Sequence, residues 1–265
     1  MNGYFGSRPN TSYSTITDIF SGVTSNFEAL VGEYTHRLSH SVSFSANYTW
    51  SHALDFGENN TTGAGANAVF DVNNLALEKG NSNQNVPNRL VVYTVGQSPW
   101  HFHGPLAYLL NNYEIAPSFQ TQNGLPYSAG ISTSASKLFA DGATKQSALV
   151  ATSLNGSGGT NRLPNLDRNS LSYPKTWNLD LRLSKAVAVR ERYRLEFLAE
   201  AFNLANHQNV TGVGTTAYLV SEDTTNHAND LAPYTSTPFT SITSTNNSNF
   251  AYNVRQIQMA LRLKF

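Results

Sequence analysis

Gln256-Ile257-Gln258-Met259-Ala260-Leu261-Arg262-Leu263-Lys264-Phe265 is the stretch whose reading decides the fold. Ile257, Met259, Leu261, Leu263 and Phe265 take every second place, and Gln256, Gln258, Ala260, Arg262 and Lys264 fill the places between. Period two is the signature of a β-strand with one apolar and one polar face, whereas a helix needs apolar residues three and four apart. A soluble sandwich could bury such a face in its core. A chain that stops on an aromatic residue with no polar tail fits better as a transmembrane β-barrel strand, apolar toward lipid, polar toward the lumen and bounded by interfacial aromatics.

The same alternation recurs along the chain. Val42, Phe44, Ala46, Tyr48 and Trp50 alternate with Ser43, Ser45, Asn47, Thr49 and Ser51, and Trp177, Leu179, Leu181 and Leu183 with Asn178, Asp180, Arg182 and Ser184. A one-residue slip would exchange the two environments for every side chain, and Arg182 would then meet hydrocarbon at a cost of ~2–4 kcal/mol near the midplane. Tyr193, Leu195, Phe197, Ala199 and Ala201 run opposite Arg194, Glu196 and Glu200. These patterns predict strands near 26–38, 41–54, 88–97, 106–122, 174–187, 191–204 and 250–265, with a weaker one near 11–22. The expected architecture is all-β: an antiparallel up-and-down transmembrane β-barrel, in part, of about seven or eight strands with long extracellular loops.

The connections support it. Those near Ser39, Trp100 and Arg190 are short, and those after Asp55, Gln122 and Asn206 are long and rich in Asn, Gly, Ser and Thr. Short and long alternate strictly, so all short joints fall at one rim and all long ones at the other, the asymmetry of outer-membrane barrels. The segment 129–173 exceeds the ~12–15 residues usual for a structureless loop in a compact soluble domain.

Composition narrows the function classes. Net charge is zero and only 13% of residues are charged, so no nucleic-acid footprint is present. Thirteen Tyr and fourteen Phe stand against no Cys, as suits a β protein without disulfides. No apolar run approaches the ~18 residues of a helical span, which leaves barrel strands of about 9–11 residues untouched. The first residues carry no basic and apolar leader of the kind export requires, so the expectation is that the sequence is part of a longer protein.

Six stretches in order carry a family resemblance: SNFEALVGEYTHRLSHSVSFSANYTWSHALD from Ser25, NVPNRLVVYTVG, QTQNGLPYS, NLDLRLSKAVAV, RLEFLAEAFNLANHQN and RQIQMALRLKF. Together they resemble the C-terminal barrel segments of Oar-like TonB-dependent outer-membrane receptors. That resemblance implies a plug that contacts TonB, a parent barrel of about twenty-two strands, and import of a bulky ligand. Neither plug nor leader is visible in the sequence, so the resemblance covers a barrel fragment not active alone. It also implies that the terminal strand, Met259, Leu261, Leu263 and above all Phe265, is the insertion signal read by the barrel-assembly machinery. The implied location is the bacterial outer membrane, with its lipid bilayer as partner, TonB engaged only through the missing plug, and no nucleic acid.

Candidate sites follow from the same phase. Tyr48, Trp50, Trp100, Tyr113, Trp177 and Tyr193 fall near strand ends as an aromatic girdle. Asp180, Arg182, Arg194, Glu196 and Glu200 share the lumen side, where interleaved opposite charges read as a salt-bridge ladder fixing register rather than a catalytic carboxylate pair. His101 and His103 would share a face if in a strand, yet no third ligand lies near in sequence. Asp71, Asn73 and Glu78 lack the acidic density and glycine of a calcium loop. No GxSxG, HExxH or P-loop pattern occurs, so neither catalysis, metal nor cofactor is expected. The rival reading is a soluble all-β carbohydrate-binding or adhesion module.

Overall fold

The computed structural model describes residues 12, 22–39, 41–57, 74–133, 137–141, 144–147, 161–163, 165–190, 193–246 and 254–265. Seven long strands follow the alternating stretches: β1 (Asn26–Ser39), β2 (Val42–Asp55), β3 (Asn88–Gln97), β4 (Tyr113–Gln122), β5 (Thr176–Arg190), β6 (Tyr193–Phe202) and β7 (Gln256–Lys264). They pair in sequence order as one antiparallel up-and-down sheet, and a short strand, Gly80–Asn81, adds to β2. Among the described residues β1 and β7 do not pair with each other, so the sheet is open. The expected strand near 11–22 lies outside the described residues except Ser12.

No second layer of described residues covers the apolar face. Leu30 is 69% exposed, Met259 82% and Leu261 63%. A soluble sandwich would have buried them, each at a gain of about 1.5–3 kcal/mol. The polar face is the more enclosed one: Ser51, Asp55, Thr176, Asn178 and Ser184 are all buried.

One expectation needs correction. The strand expected over 106–122 starts only at Tyr113, because Pro105–Leu110 forms a short α-helix, α1. Gly104 has φ 72, Pro105 presets the first turn, and Leu106-Ala107-Tyr108-Leu109-Leu110 is a continuous apolar run without alternation. Further along β4, Pro117 has no N–H to give, and the β3–β4 ladder has no registered pair at Ala116 or Pro117.

The long connections lie where expected, and they hold structure of their own. In the first, 56–87, a 3-10 turn at Leu75–Glu78 precedes the short strand. In the second, 123–175, Pro126–Tyr127 pairs with Leu171–Ser172, and Lys137–Asp141 with Thr144–Ser147. In the third, 203–255, Val210–Val213 pairs with Ile242–Thr245, and Thr216–Asp223 forms a hairpin with Ala228–Pro233. The free side of Thr216–Asp223 takes Gly130–Thr133 in parallel, joining the third connection to the second. A small core seals this joint: Ala129, Ile131, Ala217 and Val220 are buried, with Leu163 and Tyr218 packed against Ile131 and Val220.

Candidate functional site

The polar face of β5, β6 and β7 is set by register. Arg182 stands opposite Glu200, which stands opposite Gln258, and Glu196 stands opposite Arg262. Arg182 Nε lies 3.7 Å from Glu200 Oε1, and Gln258 Nε2 donates to Glu200 Oε2. Glu196 draws in Lys264 at 3.0 Å and Arg262 at 3.6 Å. Arg194, opposite Lys264, is exposed and belongs to the same face. Asp180 has a different role from the one its phase suggested. Its Oδ1 accepts from Asn178 Nδ2 at 2.7 Å and from the Asn203 N–H at 2.8 Å, which fixes the exit of the chain from β6.

Aromatic side chains mark both strand ends. Tyr48, Trp50 and Trp177 sit toward the long connections. Tyr48 donates its hydroxyl to Asn88 Oδ1 at 2.6 Å, and Trp177 stacks on His207 with centroids 4.2 Å apart. Trp100, Tyr113 and Tyr193 sit toward the short joints and are exposed. Phe265 lies at that same rim, fully exposed, and Met259, Leu261 and Leu263 point with it to the apolar face.

His101 and His103 are exposed and precede α1 outside any strand, so the shared-face geometry a metal would need is not formed. Asp71 and Asn73 lie outside the described residues. Among the described residues no group of three or more His, Asp or Glu gathers as a metal site.

Sequence reasoning missed the densest polar cluster, which lies where the first two long connections meet. Arg168, buried, donates from Nη2 to the Asp55 carboxylate and to the Asp55 carbonyl at 2.9 Å, and from Nε to the Glu78 carbonyl at 2.8 Å. Burial pulls its guanidinium below the ordinary arginine value, though an arginine stays charged. Arg162 donates to the Leu77 carbonyl at 2.8 Å and pairs with Glu78 at 3.2 Å. Asn169 exchanges hydrogen bonds with Asn81 and reaches Asn83 and Ser128. Glu78, Asn83, Arg162, Arg168 and Asn169 line a cavity of about 430 Å³ with Ser132 and Thr216, one whose walls are rich in hydrogen-bonding groups. The signal available in the sequence was a pair of arginines, Arg162 and Arg168, six residues apart in a polar segment rich in Ser, Gly, Thr and Asn.

One more tie holds the third connection to the sheet. Asn209, almost fully buried, accepts from the Trp177 N–H at 2.8 Å and donates to the Trp177 carbonyl at 2.9 Å, imitating a strand neighbour.

No helix among the described residues is long and apolar enough to cross a membrane, which says nothing against strands that do. Comparison with curated proteins and with solved structures found no match. Comparison with protein families found one described as an outer membrane beta barrel domain, matching residues 2–258. With its bare apolar face, its polar opposite face and its connections sorted by length, the chain belongs to this outer membrane beta barrel family, and its place is the bacterial outer membrane.

Proposed function

We propose that the chain is the mouth-forming, C-terminal part of a larger receptor barrel that takes up a bulky ligand in a TonB-dependent manner, and that it carries out no catalysis. One observation carries the reading: three long connections are folded together over one end of the sheet, around their own core and a polar cavity of about 430 Å³. A plain pore needs no such cap, whereas a receptor needs a shaped outer surface in which polar groups can exchange partners with a ligand. Among the described residues the outer edges of β1 and β7 have no strand partner, which supports a larger parent, since exposed strand edges in a bilayer would leave backbone groups without partners. TonB would be reached through a plug, and insertion would use Phe265 and the apolar face of β7.

The test uses the complete gene product in outer-membrane vesicles. Purified periplasmic TonB domain should be retained by these vesicles and not by vesicles from cells lacking the gene. Equal retention by both would remove TonB from the reading. Deleting Phe265 should lower the amount of heat-modifiable, folded barrel in the outer membrane, and an unchanged amount would remove the insertion role.

A further inference from the structure

The apolar face is not uniform. Along β6 the apolar phase drops from Phe197 to Ala199 and Ala201, and Ala199 is flanked in register by Leu183 on β5 and Met259 on β7. A trough of about 460 Å³, almost wholly apolar, lies here, lined by Leu183, Ala199 and Met259 and, one step nearer the short-joint rim, by Tyr113, Lys185, Phe197 and Leu261. The register position beside Phe197 on β5 is Lys185, a cation in the phase that is otherwise apolar.

Lys185 stands where the hydrocarbon should end. Residue steps of ~3.3 Å put it about 26 Å along the strand from Trp177, or about 20 Å along the membrane normal at a tilt of ~40°, close to the ~25 Å height of a barrel's apolar band. Its register partner on β4 is Tyr113, and its Nζ lies 4.4 Å from the centre of that ring while donating to the Asn111 carbonyl. An ammonium has three donors, so these contacts aim the group and leave capacity for an anion. The adjoining segment 98–112 contains no Lys, Arg, Asp or Glu and exposes Trp100, Phe102, Leu106, Tyr108 and Leu109, which suits the boundary between headgroups and acyl chains.

We propose that this trough and Lys185 form a binding site for one anionic phospholipid of the inner leaflet, an acyl chain lying over Ala199 between Leu183 and Met259 and the headgroup phosphate on the Lys185 ammonium. The trough is continuous with the lipid-facing surface of the barrel, which names its occupant, and the cation at its rim matches the charge of the head. The site is separate from the loop cavity and from any import, resting only on the outer-membrane placement.

Native mass spectrometry tests it on the protein extracted from outer membranes in mild detergent, with palmitoyl-oleoyl phosphatidylglycerol as probe. One lipid should remain bound per protein, palmitoyl-oleoyl glycerol without phosphate should bind at least about tenfold more weakly, and inorganic phosphate should not displace the lipid. Lys185→Gln should weaken retention by a similar factor and Lys185→Arg should restore it. Ala199→Phe should fill the trough and expel the lipid while keeping heat-modifiable mobility. Equal retention in wild type, Lys185→Gln and Ala199→Phe, or displacement by inorganic phosphate, would overturn the proposal.

Discussion

Replacing Arg168 by methionine should open the outer cap without unfolding the sheet. Methionine keeps much of the side-chain length but removes the donors that reach the Asp55 carboxylate, the Asp55 carbonyl and the Glu78 carbonyl. The Asp55 carboxylate would stay buried, retaining among the described residues the Gly57 N–H at 3.0 Å. Removing one partner of a buried pair costs about 3–5 kcal/mol, because the remaining charge is left without compensation. At ~1.4 kcal/mol per tenfold, the opened state of the first connection should become more populated by about two to three and a half powers of ten. Hydrogen exchange read by mass spectrometry at fixed pH reports this in peptides covering 74–90 and 161–173, where the Ser82 N–H is held by the Ala53 carbonyl at 2.9 Å. Peptides from β5 and β6 should keep their protection. Arg168→Lys should fall between, since a single ammonium cannot span Glu78 and Asp55 as the guanidinium fork does. Unchanged exchange in both loop peptides, or equal acceleration in β5 and β6, would refute the account.

Leu181→Arg places a cation near the middle of the apolar face and should cost about 2–4 kcal/mol in denaturant unfolding from lipid vesicles; a change under about 0.5 kcal/mol would mean this face does not meet hydrocarbon. Asn209→Ala removes the group that imitates a strand neighbour for Trp177 and should cost about 1–3 kcal/mol locally, seen as faster exchange of the Trp177 amide. Gly124→Ala drives a Cβ into the Tyr173 carbonyl at the junction of β4 and β5, so folded yield should drop, whereas the open position Gly32→Ala on β1 should leave it unchanged. At the tip of the third connection, Asp223 is held below the usual carboxylate range by the Asn226 side-chain amide, then by the N–H groups of Asn226 and Thr225. A lowered folded value means the contribution of this turn is present above the ordinary carboxylate value and lost as pH falls through the lowered one. Asn226→Ala should therefore raise the Asp223 carboxyl titration midpoint by NMR, and an unmoved midpoint would remove Asn226 as its main cause.

What the sequence made legible follows from which interactions are periodic. In β2 and β5 each side chain has one of two environments, so alternation names strand, face and register together, and the observed strands start and end within a few residues of the expected ones. The helix Pro105–Leu110 was missed because an uninterrupted apolar run has no period to read. In the cap, Ile131 sits alone among Ser, Thr and Gly, and the Val220 it packs against lies about ninety residues away, so no local period announces their core. Arg168 reaches Asp55 across most of two connections, and only folding brings them together. The charged residues on β5 and β6 were placed on one face by phase, but their partners depend on rotamers: Glu196 turns to Lys264 and Arg262, and Asp180 to a backbone N–H of the next connection.

The cap is therefore linked in series. Arg162, Arg168 and Asn169 join the second connection to the first, Gly130–Thr133 joins it to the third through parallel pairing, and Asn209 joins the third to the top of β5. The first and third connections communicate through the second. Loss of Arg168 should loosen 74–90 and leave the 216–233 hairpin protected, because that hairpin keeps its parallel neighbour and the Ile131 and Val220 core. Substitution of Ile131 by Ser would act from the other side: a fully buried branched side chain is lost, about 1.5–3 kcal/mol of burial with it, and the third connection should separate while the arginine cluster stays closed. If both substitutions instead exposed all three connections equally, the cap would be one cooperative unit rather than a row of separable ties, and a ligand entering the polar cavity would be felt at every connection at once.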